Sequence, residues 1–159
     1  EYTSQWEDLF KKEEIILLKH FSDTIVSVEH IGSTSVPGLS AKPLIDIAMG
    51  VSDLFISKEM RETFESLGYV YRGIQKRDER VLFVKGPEHN RTHMVHIVVY
   101  QGDEWKRMLS FRNYLRSHPG VVHEYSALKK QLAQKYPHDR EQYKKHKNVF
   151  IENIMYVVK

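Results

Sequence analysis

At 159 residues, with 41% hydrophobic and 28% charged residues, the chain has the size and balance of one globular domain, spanning 1–159, that buries a core without cross-links. It has no cysteine, which excludes disulfides and thiolate chemistry and suits a reducing cytoplasm, the expected location. No apolar run approaches the roughly 20 residues of a membrane span, and residues 1–10 are too polar and acidic to read as a signal peptide, so no membrane partner is expected.

A net charge of +3 does not support nucleic-acid binding, but the charge is unevenly spread: 12 Lys/Arg face 6 Asp/Glu from residue 101 onward, against 12 and 15 before it. A basic second half can attract a small anion such as a nucleotide or phosphate, although solvated helix faces are the plainer explanation.

In chain order, Trp6, Leu9, Phe10, Ile16, Leu17 and Phe21 recur at helical spacing and predict an amphipathic helix over 4–21. Residues 25–31 are strand-like and break at Gly32 into three hydroxyls, Ser33, Thr34 and Ser35. Pro37-Gly38 suits a type II turn, in which proline fixes φ and glycine takes the positive value. Residues 44–51 predict a second strand, with Asp46, Ala48 and Gly50 alternating against Ile45, Ile47 and Met49.

A short helix over 57–67 should end at Gly68, followed by strands at 69–72 and 81–85 around a charged loop (75–80), and a strand at 92–100. The rest reads as three helices, 103–118, 121–136 and 139–158; in the last, Tyr143, Lys147, Phe150, Ile151, Ile154 and Val158 share a face. The expected fold class is α+β: a small mixed β-sheet packed with helices, and a helical C-terminal half.

The candidate site centres on residues 29–47. A glycine directly after a strand lets the backbone approach a ligand, and successive N–H groups with three hydroxyls can form an anion-binding nest; a simple capping turn is the plainer alternative. Lys42 is followed by proline, so the phosphate-loop pattern of Walker-type ATPases is absent. Asp46, inside an apolar strand, could hold a divalent metal, act as a base, or simply pair with Lys42, Arg80 or Arg91.

His96, amid Val95, Ile97 and Val98, is expected to be buried; beside Asp46 it would suit a transition metal better than Mg²⁺. His93 should point to the opposite face unless a bulge intervenes. Arg112 and Arg116, four apart on a helix, could face one anion or form a surface stripe.

Taken together, His30–Leu39, Ala41–Ile47, Arg91-Thr92-His93 with His96, Phe111–Arg116, and Tyr125 with Leu128-Lys129 resemble the GrpB family over nearly the whole chain. These are small bacterial proteins assigned to the polymerase-beta-like nucleotidyltransferase superfamily. The superfamily pattern is a Gly-Ser turn after a strand, Asp-x-Asp/Glu on the next strand and a further carboxylate on a later one. Gly32-Ser33 and Asp46 match it; Ala48 and His96 stand where the other carboxylates belong.

The resemblance implies a nucleotide or phosphate ligand held by Gly32, Ser33, Thr34, Ser35, Lys42, Arg80, Arg91 and His93. It also implies nucleotidyl transfer with Asp46 as the catalytic residue, holding one metal (Mg, Mn or a transition metal). A non-catalytic phosphate-binding module, or a metal-dependent activity using Asp46 and His96, are the alternatives.

Overall fold

The computed structural model describes residues 2–75 and 79–158. The apolar stripe of the first helix, α1 (Gln5–His20), buries Trp6, Phe10 and Leu17. Buried Glu13 falls in the same stripe. Five strands follow: β1 (Ile25–Ile31), β2 (Ile45–Val51), β3 (Tyr69–Gln75), β4 (Arg80–Lys85) and β5 (His93–Val99). They form one sheet in the order β1-β2-β5-β4-β3, with β2 and β5 parallel and the other neighbours antiparallel.

Strand alternation sends the two faces of the sheet to different cores. Ile45, Ile47, Met49 and Val51 lie with Val95, Ile97, Val81, Phe83 and Tyr69 under α1 and a second helix, α2 (Lys58–Ser66). Each of these side chains contributes about 1.5–3 kcal/mol when fully buried. α2 is capped as its sequence predicts: the Ser57 hydroxyl accepts the Met60 N–H at 3.1 Å.

On the opposite face Ala48, Val98 and Ile31 pack beneath Trp105 of α3 (Asp103–Ser117). α4 (Pro119–Lys135) and α5 (Arg140–Val158) join α3 in a further core, where Val122, Tyr125 and Ile154 close over Val36 and Leu39 of the β1–β2 connection. Among the described residues no helix is long and apolar enough to cross a membrane.

The α+β class and the order of elements agree with the sequence reading. Two boundaries moved for physical reasons. β3 continues past residue 72 to Gln75 because Gly73, at φ +83°, takes up an irregularity in its pairing with β4. α4 begins at Pro119 rather than 121, since a proline needs no hydrogen-bond acceptor in the first turn. Residues 76–78 of the expected charged loop lie outside the described residues.

Buried Glu13 fastens α1 to the sheet. It accepts hydrogen bonds from Lys85 Nζ at 2.6 Å and from the Tyr69 hydroxyl at 3.0 Å, with His93 Nε2 3.7 Å away. Burial and the Glu13 carboxylate push the Tyr69 phenol far above its ordinary range.

Candidate functional site

β1 ends at Ile31 and the chain turns sharply at Gly32, with φ +74° and ψ −174°, into one turn of 3₁₀ helix, Ser33–Ser35. Only glycine adopts that backbone region readily. It also leaves no room for a side chain: a Cβ on Gly32 would sit 2.5 Å from Asp46 Oδ2. The absence of a Cβ therefore brings the turn against the carboxylate of the neighbouring strand.

Beyond the turn, Leu39 N–H returns to Val36 O at 3.2 Å with Gly38 at φ +85°, as the Pro37-Gly38 pair predicts.

The parallel register places His96 beside Ala48, one pleat along from Asp46, on the same face. His96 Nε2 donates to Asp46 Oδ1 at 3.0 Å. The expected meeting of Asp46 and a buried His96 is thus present, whereas the ion pair of Asp46 with Lys42, Arg80 or Arg91 is not what forms. His96 Nδ1 is buried without a hydrogen-bond partner among the described residues.

The three hydroxyls of the turn divide. Thr34 is buried, donates to Leu44 O at 2.9 Å and therefore accepts from His30 Nε2 at 3.0 Å, which fixes the proton on that nitrogen. Ser35 is buried and donates to Gly32 O. Both brace the turn from within, so the expectation that they bind ligand is corrected. Ser33 turns the other way and accepts a hydrogen bond from Lys129 Nζ of α4 at 2.6 Å.

Lys129 also donates to Ser40 O at 3.2 Å and lies 4.9 Å from the Tyr125 ring centroid. Its pKa is lowered to about 8, by burial first and then by the Lys147 charge, with Asp46 opposing. Lys147 of α5 is likewise lowered, by burial and by Lys144 and Lys42, again with Asp46 opposing. Asp46 thus acts on Lys129 of α4 and Lys147 of α5, and exposed Lys42 of the β1–β2 connection acts on Lys147. Lys129 and Lys147 are the site residues that sequence reasoning did not assign; the available signal was a lysine inside an otherwise apolar helix face.

Several other candidates lie elsewhere. Arg91 Nη1 donates to Gly86 O at 2.6 Å and closes the β4–β5 turn. Arg80 is four residues from Val84, the β4 neighbour of Met94 and hence of Asp46, or about 13 Å along the strand. His93 points to the opposite face, toward Glu13, as regular alternation requires. Burial lowers its pKa, against the raising effect of Glu13.

Arg112 and Arg116 do converge, but on the back of the turn. Buried Arg112 donates to Glu29 and His30 O at 2.9 and 3.0 Å, and Arg116 Nε donates to Ser35 O at 2.9 Å. Behind them lies a cleft of about 310 Å³ lined in part by Tyr2, Phe10 and His30. Burial and Arg116 lower the His30 pKa to about 4, so the ring is neutral there.

The donor set does not fit the two-cation centre that the superfamily resemblance implies. Ala48, the position for the second carboxylate, is fully buried in the cluster with Trp105. Asp46 and His96 offer one hard oxygen donor group and one imidazole, and no group of three His, Cys, Asp or Glu residues that could hold a metal occurs among the described residues. The lysines, by contrast, suit an anion.

These features define a class: an α+β domain with a Gly-Ser turn pressed against the Asp46 carboxylate of the next strand, and lysines of the C-terminal helices brought to that turn. The family model described as GrpB protein matches residues 1–156, and the chain belongs to this family. It is 36% identical to the Glutamate-rich protein GrpB of Alkalihalophilus pseudofirmus, over 97% of this chain and 91% of that one. It is also 36% identical to the UPF0157 protein YqkA of Bacillus subtilis, over 95% of this chain but only 44% of that longer protein. The crystal structure of the conserved protein GrpB from Enterococcus faecalis superposes with a TM-score of 0.90 at 39% identity, covering 99% of this chain and 94% of the other.

Proposed function

We propose that the chain binds a phosphorylated ligand of the nucleotide class between the Gly32 turn and the lysines of helices α4 and α5. The observation that carries this is the lysine cluster. Lys129 is bonded to Ser33, Lys147 acts on Lys129 and Lys42 on Lys147, so the positive charge exceeds what Asp46 neutralises. Burying ammonium groups together is unfavourable, and a bound anion relieves it. Ser33, the turn hydroxyl that is not spent on a backbone carbonyl, supplies its proton to a phosphate oxygen.

A nucleotidyltransferase-like ancestry is compatible with the order of strand, Gly-Ser turn and acidic strand, but fold alone carries no activity. The cysteine-free composition fits work in the cytoplasm.

Differential scanning fluorimetry with inorganic phosphate, pyrophosphate and the four ribonucleoside triphosphates tests the reading. At a hundred times the dissociation constant a ligand stabilises by about 2.7 kcal/mol, or a rise of about 5–10 °C for a domain of this size. Lys147→Gln and Lys129→Met should abolish the rise. No shift with any of these probes would refute phosphate binding.

A further inference from the structure

Ser33 differs from its two neighbours in a way that phosphate binding alone does not require. Thr34 and Ser35 both donate their hydroxyl protons to backbone carbonyls. Ser33 Oγ only accepts, from Lys129 Nζ at 2.6 Å, and has no acceptor for its own proton among the described residues. Lys129 is held in place by Ser40 O and the Tyr125 ring. The loop that carries Ser40 is in turn fastened to α4, because Ser40 N–H donates to Ser126 Oγ at 3.1 Å. A serine hydroxyl in short contact with an amine fixed on three sides has the geometry of a nucleophile with its base.

We propose that Ser33 is a nucleophile, with Lys129 taking its proton, toward a phosphorus atom of a nucleoside triphosphate held by Lys42 and Lys147. This rests on the phosphate-binding reading above. In the step, the Ser33 Oγ–P bond forms as the P–O bond to the departing group breaks, which is pyrophosphate for attack at the α-phosphorus and the nucleoside diphosphate for attack at the γ-phosphorus. The electron pair leaves with that group, and the Ser33 proton passes to Lys129 Nζ. The product is a phosphate ester on Ser33. Lys42 and Lys147 place positive charge where the phosphoryl oxygens gain negative charge.

The charged groups acting on Lys129 determine its readiness. Burial and Lys147 of α5 disfavour the ammonium, and Asp46 of β2 partly restores it, leaving the pKa at about 8. Tyr125 presents an aromatic ring whose own proton is held more tightly than usual. A useful fraction of Lys129 is therefore a free amine near neutrality, which an ordinary lysine is not.

The test uses the intact chain and two reagents. A fluorophosphonate probe, which loses fluoride as its phosphorus is attacked, reads nucleophilicity at Ser33 by peptide mass spectrometry. Labelling should rise about tenfold per pH unit below pH 8 and level off above about 9. Lys129→Arg keeps the charge but not the base, and should lower the rate at least about 100-fold. Ser33→Ala should remove the adduct.

Absence of a Ser33 adduct in the parent chain, a rate independent of pH, or a rate unchanged in Lys129→Arg overturns the nucleophile assignment. Incubation with ATP, GTP, CTP and UTP labelled at the α- or γ-phosphorus then reads the transfer itself: α-label on Ser33 means nucleotidyl transfer, γ-label phosphoryl transfer, and either supports the proposal. Probe labelling with no transfer from any of the four overturns nucleoside triphosphate as the substrate class. Failure of the binding reading shows separately, as the loss of any thermal shift with phosphate or pyrophosphate.

Discussion

Replacing Gly32 with alanine tests how tightly the turn and Asp46 are joined. Two penalties act at this position. At φ +74° and ψ −174° a residue with a Cβ occupies a region reserved almost wholly for glycine, which costs about 1–3 kcal/mol. The new Cβ would also lie 2.5 Å from Asp46 Oδ2, 2.9 Å from its Cβ and 3.0 Å from its Cγ, so the aspartate must turn away. Turning away breaks the 3.0 Å hydrogen bond to His96, and bonds involving a charged group contribute about 1.5–3 kcal/mol.

Asp46 keeps about a fifth of its side-chain surface exposed, which favours the lower end of that range. The sum is about 3–4 kcal/mol, or a melting point lower by about 8–15 °C. Urea denaturation followed by circular dichroism measures it. In an Asp46→Gly background the collision disappears and only the backbone term of about 1–3 kcal/mol should remain, so the double-mutant cycle isolates the contact. A loss below about 1 kcal/mol for Gly32→Ala, or an undiminished loss in the Asp46→Gly background, would show that the turn and the aspartate are not pressed together.

Other expectations follow from the same geometry. Ala48→Asp, which adds a second carboxylate two residues from Asp46, should destabilise by about 3 kcal/mol or more, because the charge enters a core under Trp105; calorimetric titration with Mn²⁺ should show no gain in binding. Phosphate affinity should fall as pH rises through about 8, as Lys129 loses the proton that attracts the anion, and titration calorimetry between pH 6.5 and 9.5 measures it.

His30 has a folded pKa of about 4, so the unfolded chain takes up its proton first as the pH falls through 6.5. The stabilisation present above pH 6.5 should be lost down to about pH 4, on the order of 2–3 kcal/mol after allowance for water at the cleft mouth. Urea midpoints at pH 7 and 4.5 should therefore differ less in His30→Gln than in the parent chain. Glu13→Ala leaves Lys85 and the Tyr69 hydroxyl without their shared acceptor and should cost about 2–4 kcal/mol by urea denaturation.

The strand, turn and strand of residues 25–51 were legible because their signals are local: β-branched alternation, a glycine where φ is positive, and a Pro-Gly pair. The opposed faces of His93 and His96 followed from the same alternation. The meeting of Asp46 with His96 could be anticipated only as a possibility, since it depends on β2 running parallel to β5 in one particular register.

Arg80 and Arg91 looked suitable as cations near an acidic strand, but sequence distance does not disclose which end of the sheet each occupies. Lys129 and Lys147 were harder still. Helical periodicity tells which face of α4 or α5 a lysine shares, and not what that face covers. The exception to the apolar pattern was visible; its destination was set by tertiary packing. Thr34 and Ser35 misled for the opposite reason, because hydroxyls that brace a tight turn have the same composition as hydroxyls that greet a ligand.

The hydrogen bond between Lys129 and Ser33 joins residues 96 apart in the chain, across the boundary between sheet and helical layer. An anion lodged there would act as a clasp between two layers that also meet through the Ser40–Ser126 and Lys129–Ser40 hydrogen bonds and the apolar contacts around Leu39 and Val122. Its energy would be felt chiefly by motions that lift α4 and α5 from the sheet, and little by openings elsewhere. Occupancy of so small a site would then be written into the hydrogen-exchange rates of two whole helices, far more broadly than into the handful of groups that touch the ligand.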